Sequence, residues 1–429
     1  MRLTRRHLLQ AAPGAALWPL GARALGPQKR PEHLIVVIAD GGWDVTFAFD
    51  PKVGVEGVEG PEVDLDATVP SDAEEVRAYG DSHIIVNDYK RPAVTSFFES
   101  WGDRACVLNG LWMGSIVHQV CRLRLLTGSS SLVAPDVATI IGHHLGGARP
   151  LGTIDLGGLG FTGPLAASAG RIGVTSQIKT LVDPSVVFRA PEGQSPYPLW
   201  TPDPDIQATL RAHLESRTEK FRTLRGHGAL NDLLADDLLA SLDRKARLEA
   251  EGPSLFASLD AGAAPDMALQ GQLAVELLRA GLCQTVTLQH FDNWDTHGAN
   301  ALQHERYESL FSTVNGIMED LAKDDLIDRT MVAVVSEMTR TPRRNATTGK
   351  DHWQHTSALL VGAGVVGGRT IGATDDLLES LPMDLASGDV ATSGDPCRYD
   401  HLAAGLLAAF DVDPEAYLPG VPALKGAFA

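Results

Sequence analysis

Apolar residues along this chain come in two alternating patterns. Short unbroken runs, "HLIVVIA" at 33–39, "ACVLNGLWMG" at 105–114, "TVTLQHF" at 285–291, "TMVAVVSE" at 330–337 and "TSALLVGAG" at 356–364, are rich in β-branched residues and bounded by turn formers, which predicts buried strands. Between them, "PAVTSFFESW" (92–101), residues 118–127, "MALQGQLAVELLRAGL" (267–282) and "HERYESLFSTVNGIMEDLAKD" (304–324) have the spacing of amphipathic helices. "TGSSSLVAPDVATIIGHHLG" (127–146) reads as a turn followed by another helix. Strands alternating with helices imply an α/β fold, a mostly parallel sheet with helices on both faces.

Two stretches interrupt the alternation. Residues 53–81 hold nine acids and one base among Gly, Pro and Val, and read as a solvated acidic loop insertion. Residues 205–250 combine dense charge with a 3.6-residue apolar period broken at Gly226 and Gly228, which predicts a helical hairpin inserted at the surface. There is no internal repeat, and residues 25–429 read as one α/β domain carrying these two insertions.

The first 24 residues stand apart from that domain. Arg5 and Arg6 precede an apolar stretch from Leu8 to Leu20, and Ala22-Arg23-Ala24 provides the small residues of a peptidase site, the layout of a twin-arginine export signal. The stretch is too short to span a bilayer, and no later segment reaches that length. Cleavage after Ala24 removes four arginines and no acid, which takes the formal charge from −18 to −22. A chain this acidic lacks the clustered basic surface that nucleic acids and anionic membranes require. The expected location is the periplasm or the extracellular space. Cys106, Cys121, Cys283 and Cys397 include no close pair. Their spacing speaks against a zinc–thiolate site and leaves room for one or two disulfides in an oxidising compartment.

Ligands of an open parallel sheet gather at the carboxyl ends of its strands. Three predicted strands end there in acids or histidines: Asp40 after the first, Asp295 and His297 in "DNWDTHG", and Glu337 in "SEM". His352 in "KDHW" supplies another imidazole. An acid and a histidine two residues apart beyond a strand can share a cation, and a set of two histidines and one carboxylate suits a catalytic zinc or similar divalent ion. The structural alternative makes Asp351 a turn cap and His355 a core or surface histidine. Arg340, Arg343 and Arg344 form a basic edge nearby, fit for bidentate hydrogen bonds to phosphate or sulfate or for pairing with acids such as Asp351. "NATTGKD" (345–351) then reads as a mobile loop over the site.

Taken together, "RRHLLQ", "VVIADGGWD", "NWDTHGAN", "SEMTRTPRRNATTGKDHW" and "VGGRTIGATD" resemble the successive motifs of an exported bacterial family, domain of unknown function 1501, as far as about residue 380. That family is similar in turn to the alkaline phosphatase and sulfatase superfamily. The resemblance implies an alkaline-phosphatase-like three-layer sandwich with two metal sites flanking a nucleophile. It places Asp40, Asp295, His297 and His352 among the metal ligands and Glu337 where a metal-site carboxylate stands, with Met338 replacing one imidazole. "HQVCRLRLLTG" (118–128) matches the segment bearing the sulfatase nucleophile, with Arg122 beside it and His118 in the nucleophile's own place. A histidine there could attack phosphorus, bind the metal, or mark a site that has lost hydrolysis; Cys121 and Ser115 are off register.

The expected function is an exported, divalent-metal-dependent hydrolase of phosphate or sulfate esters. Its metal would be zinc, with manganese or calcium as alternatives, and its partner a small anionic ester or a cell-envelope component. Arg122 and Arg340 would stabilise negative charge, and His118 would be nucleophile, acid/base or ligand. The rival reading is a secreted binding or structural protein that keeps the fold without turnover.

Overall fold

The computed structural model describes residues 30–61, 74–171, 204–225, 229–256 and 265–429. The expected export signal at 1–24, residues 62–73 of the acidic stretch, and Gly226 and Gly228 lie outside the described residues. The strands in chain order are β1 (His33–Ala39), β2 (Glu75–Tyr79), β3 (Ser82–Val86), β4 (Ala105–Trp112), β5 (Thr153–Asp155), β6 (Ala169–Arg171), β7 (Thr285–His290), β8 (Thr330–Val335), β9 (Thr339–Arg340), β10 (His352–Trp353), β11 (His355–Gly362) and β12 (Arg369–Ile371). The helices are α1 (Pro92–Trp101), α2 (His118–Thr127), α3 (Val137–Leu145), α4 (Pro204–Arg225), α5 (Ala229–Leu255), α6 (Met267–Arg279), α7 (Gln303–Lys323) and α8 (Tyr399–Ala409).

Eight strands form one sheet in the order β12-β4-β11-β8-β1-β7-β5-β6. The stretch from β8 through β1, β7 and β5 to β6 is parallel throughout. β11 departs from the parallel pattern: it runs antiparallel to both β8 and β4. Every residue of β1 is buried, as expected of a strand covered on both faces. Alternation along it sorts the core into two halves. Ile35, Val37 and Ala39 face Phe97 of α1, Leu277 of α6 and Phe311 of α7. Leu34, Val36 and Ile38 face Leu125 of α2, Ile140 of α3 and Leu407 of α8. The result is a three-layer sandwich, in which each fully buried aliphatic or aromatic side chain stabilises by roughly 1.5–3 kcal/mol.

Local chemistry sets the helix ends. Asp136 caps α3 by accepting from Thr139 N at 2.6 Å, and Asp266 caps α6 by accepting from Leu269 N at 2.8 Å. α2 stops at Gly128, whose φ of +66° suits the left-handed cap.

Three expectations need correction. The end of the acidic stretch is ordered: β2 pairs with β3 as an antiparallel hairpin, and Glu74 binds the fully buried Arg91 at 2.6 Å. The helical insertion extends to Leu255 and is anchored there, with Leu248 and Phe256 in the core. All four cysteines are buried free thiols. They pack as small apolar groups, and burial raises the pKa of each. Among the described residues no helix is long and apolar enough to cross a membrane.

Candidate functional site

β8, β1 and β7 are neighbours in the sheet, and the chain leaving each carboxyl end supplies part of one cluster. After β1, Gly41 and Gly42 turn at φ +123° and +88°. A Cβ on Gly41 would lie 2.9 Å from Asp295 N, and one on Gly42 2.8 Å from Met338 Cγ, so glycine lets the three strand ends close on one another. The segment after β7 brings Asp295 and His297, and the one after β8 brings Glu337. The β9–β10 ribbon pairs His352 with Arg340. α2 starts at His118, on the same spot.

Three imidazoles converge there. His352 Nε2 lies 3.0 Å from His118 Nε2 and 2.9 Å from His297 Nε2. Asp295 Oδ1 is 3.1 Å from His352 Nε2 and 3.0 Å from His297 Nε2, and its Oδ2 is 3.6 Å from His118 Nε2. The second nitrogen of each ring is held from behind: His118 Nδ1 by Glu337 Oε1 at 2.7 Å, His297 Nδ1 by Asp351 Oδ1 at 2.9 Å, and His352 Nδ1 by the Ile116 carbonyl at 2.8 Å. A carbonyl only accepts. Glu337 Oε1 also accepts from Gly41 N, and Asp351 Oδ1 from Asn345 Nδ2, so each Nδ1 is assigned as the donor. In their neutral forms the three rings therefore turn bare Nε2 lone pairs toward one point, beside a carboxylate oxygen. Such a convergence is repulsive unless positive charge sits at its centre, and one divalent ion could meet His118, Asp295 and His352, whose donor atoms all lie within 4.8 Å of one another, with His297 beside His352. Carboxylate or carbonyl support behind a ring fixes the tautomer that metal ligation needs.

The electrostatics follow from these contacts. Glu337 raises the pKa of His118 through its hydrogen bond, against the opposing effect of burial. Burial pushes Asp295 up, but the hydrogen bond and charge of Arg340 outweigh it and hold the carboxyl below its ordinary value. Hydrogen bonds from Asn345 and His297 lower Asp351. Burial and the nearby Glu337 raise Asp40, with Arg122 opposing them.

The structure brings His118, Asp295, His297 and His352 together, and gives other sequence candidates different surroundings. Glu337 is fully buried and lies behind His118. Asp40 sits at the margin, where its Oδ1 accepts from Arg122 Nε at 3.0 Å and Nη2 at 2.5 Å and its Oδ2 from Gln289 Nε2 at 2.9 Å. Arg340 is fully buried. It donates to the Gly41 and Gly42 carbonyls and, at 2.7 Å, to Asp295 Oδ1. Of the expected basic edge, Arg340 is thus turned inward, while Arg343 Nε donates to the Gly57 carbonyl and the backbone N–H of Arg344 to Glu59.

Nor is "NATTGKD" a free lid. Asn345 Nδ2 and Thr347 Oγ1 donate to the His297 carbonyl at 3.0 and 2.8 Å, and Lys350 is buried 2.7 Å from Asp44 Oδ2. A Cβ on Gly349 would collide with the same carbonyl. Sequence reasoning missed the roles of Asp351, Asn345, Gln289 and the Ile116 carbonyl. Only Asp351, next to a candidate ligand, carried a visible signal.

No curated protein matches this sequence. Solved structures similar to it include the alkaline phosphatase of the Antarctic bacterium TAB5, at 11% identity and TM-score 0.37 over 90% of this chain and 99% of that one. The lipoteichoic acid synthase LtaP from Listeria monocytogenes is 7% identical, with TM-score 0.39 over 93% and 75% of the two chains. The PsFucS1 sulfatase from Pseudoalteromonas sp. is 9% identical, with TM-score 0.40 over 94% and 76%. The model of a family described as "Protein of unknown function (DUF1501)" matches residues 31–416, and the chain belongs to that family.

Proposed function

We propose that this protein is an exported, divalent-metal-dependent hydrolase of phosphate or sulfate esters. The observation that carries the reading is the group formed by His118, His352 and the Asp295 carboxylate, with His297 against His352 and each imidazole braced by Glu337, Asp351 or the Ile116 carbonyl. A set of imidazoles with one carboxylate fits zinc better than manganese or calcium, which prefer oxygen ligands. A bound divalent ion supplies Lewis acidity and acidifies a bound water.

The chain's own groups fill the remaining roles. Arg122 lies one helical turn from His118 and is steadied by Asp40 through Nε and Nη2. That leaves Nη1 for an anionic ester oxygen. Cys121 is buried, its thiol donates to the Ser115 carbonyl, and burial pushes its pKa up to about 11, which unsuits it as a nucleophile. His118 is taken up by Glu337 and the cluster. Water is then the attacking group: it gives up a proton as its oxygen bonds to phosphorus or sulfur, the ester P–O or S–O bond breaks, and the departing alkoxide takes up a proton to leave as the alcohol. The twin-arginine signal supports export.

The test is an ester panel, aryl and alkyl phosphates and sulfates, with the zinc-loaded mature chain. Hydrolysis should vanish on chelation and return with zinc. Glu337→Gln should need about 10- to 100-fold more free zinc for half-maximal activity, as expected for a lost outer-shell carboxylate. Turnover indifferent to the chelator would remove this reading. A zinc-stabilised protein that hydrolyses no ester would favour the secreted binding protein instead, a reading supported by the histidine at the nucleophile's place.

A further inference from the structure

Exposed apolar residues stand beside the His cluster although the protein as a whole is acidic. Ile116 and Val117 directly precede His118, and they are 54% and 49% exposed. They cannot be far from the cluster: the Ile116 carbonyl holds His352, and Val117 is the N-cap of α2. A further exposed apolar residue follows β7. The register of β7 against β1 pairs His290 with Ala39, so Phe291 follows at the level of Asp40, and it is 47% exposed. Gln289, two residues earlier, already reaches Asp40. Exposed apolar residues thus follow directly on segments that reach the candidate site, before α2, which carries His118 and Arg122, and after β7, whose Gln289 meets Asp40. Scattered exposed apolar residues need no explanation, but several around one polar centre mark a surface for a ligand with an apolar part.

We propose that the ester taken by this site is amphiphilic, with its anionic phosphate or sulfate head at the His cluster and Arg122 and its apolar alcohol along Ile116, Val117 and Phe291. The proposal rests on the ester-hydrolase reading and adds the substrate class. Water-soluble sugar esters would leave this rim uncovered, whereas an alkyl alcohol removes it from water.

The test is titration calorimetry of the zinc-loaded protein with methyl-, butyl- and hexylphosphonate, which bind as anions and have no ester bond to break. Each added methylene should tighten binding about two- to fourfold, the range expected for partial to full burial of a CH2 group. A Val117→Ser/Phe291→Ser double variant should lose this gain and bind methylphosphonate as the parent does. Serine is an acceptable N-cap, so α2 is retained. Equal affinity from methyl to hexyl, or a gain that survives in the double variant, overturns the apolar-alcohol assignment and leaves the anion site standing. A gain of the same size in the metal-free protein also overturns it, because the apolar surface would then act apart from the site. Failure of methylphosphonate itself to bind overturns the anion site, and the proposal with it.

Discussion

A His352→Ala variant is expected to bind zinc at least about a hundredfold more weakly than the parent, beyond the loss typical of an outer-shell change, and to purify without metal where the parent keeps one equivalent. His352 is the choice because its Nε2 is the atom shared by the others, 3.0 Å from His118 Nε2, 2.9 Å from His297 Nε2 and 3.1 Å from Asp295 Oδ1. Its removal takes away one donor and frees the remaining rings to rotate apart. Elemental analysis of both proteins, with a zinc competition titration, gives the answer. Equal zinc content and affinity in the variant would mean that the imidazoles serve the fold and do not hold a metal.

The second large effect concerns stability. Arg340→Ala should cost about 3–5 kcal/mol, the range for removing one partner of a buried charged network. Arg340 is fully buried, and its guanidinium is the donor to the Gly41 and Gly42 carbonyls and to Asp295. Deleting it leaves those acceptors unmet and opens a hole behind the cluster. Lysine cannot reproduce the planar fork, so Arg340→Lys should recover only part of the loss. Urea denaturation of the metal-free proteins measures both changes without interference from zinc. A cost under about 1 kcal/mol for Arg340→Ala would show that the turn holds its shape without this brace.

The contrast between these two residues shows how far a linear reading reaches. His352 and Arg340 are both visible in the sequence as site candidates, and the fold brings both to Asp295. A basic residue near histidines in a sequence suggests a surface that meets an anion. Here the strand pairing of β9 with β10 turns Arg340 inward, and its charge is used on backbone carbonyls. Glu337 and His118 show the same limit. In the sequence the acid after β8 reads as a ligand and the histidine at the start of α2 as nucleophile, ligand or relic. The fold puts the acid behind the histidine at 2.7 Å, although 219 residues separate them in the chain.

What the sequence determined by itself was local. Unbroken β-branched runs fixed the buried strands, three-to-four spacing fixed α1, α2, α6 and α7, and the positions of Asp295, His297 and His352 just beyond or between strands placed chemistry at one end of a sheet. These features depend on neighbours along the chain, and periodicity records them. Only the tertiary structure decided that β11 runs antiparallel, that residues 75–86 form a hairpin within an acidic stretch, and that the 345–351 loop is tied to the His297 backbone. The same holds for which donor faces the centre of the cluster and which stands behind it, because that depends on how α2 docks against the ends of β1 and β8, through contacts between residues hundreds of positions apart.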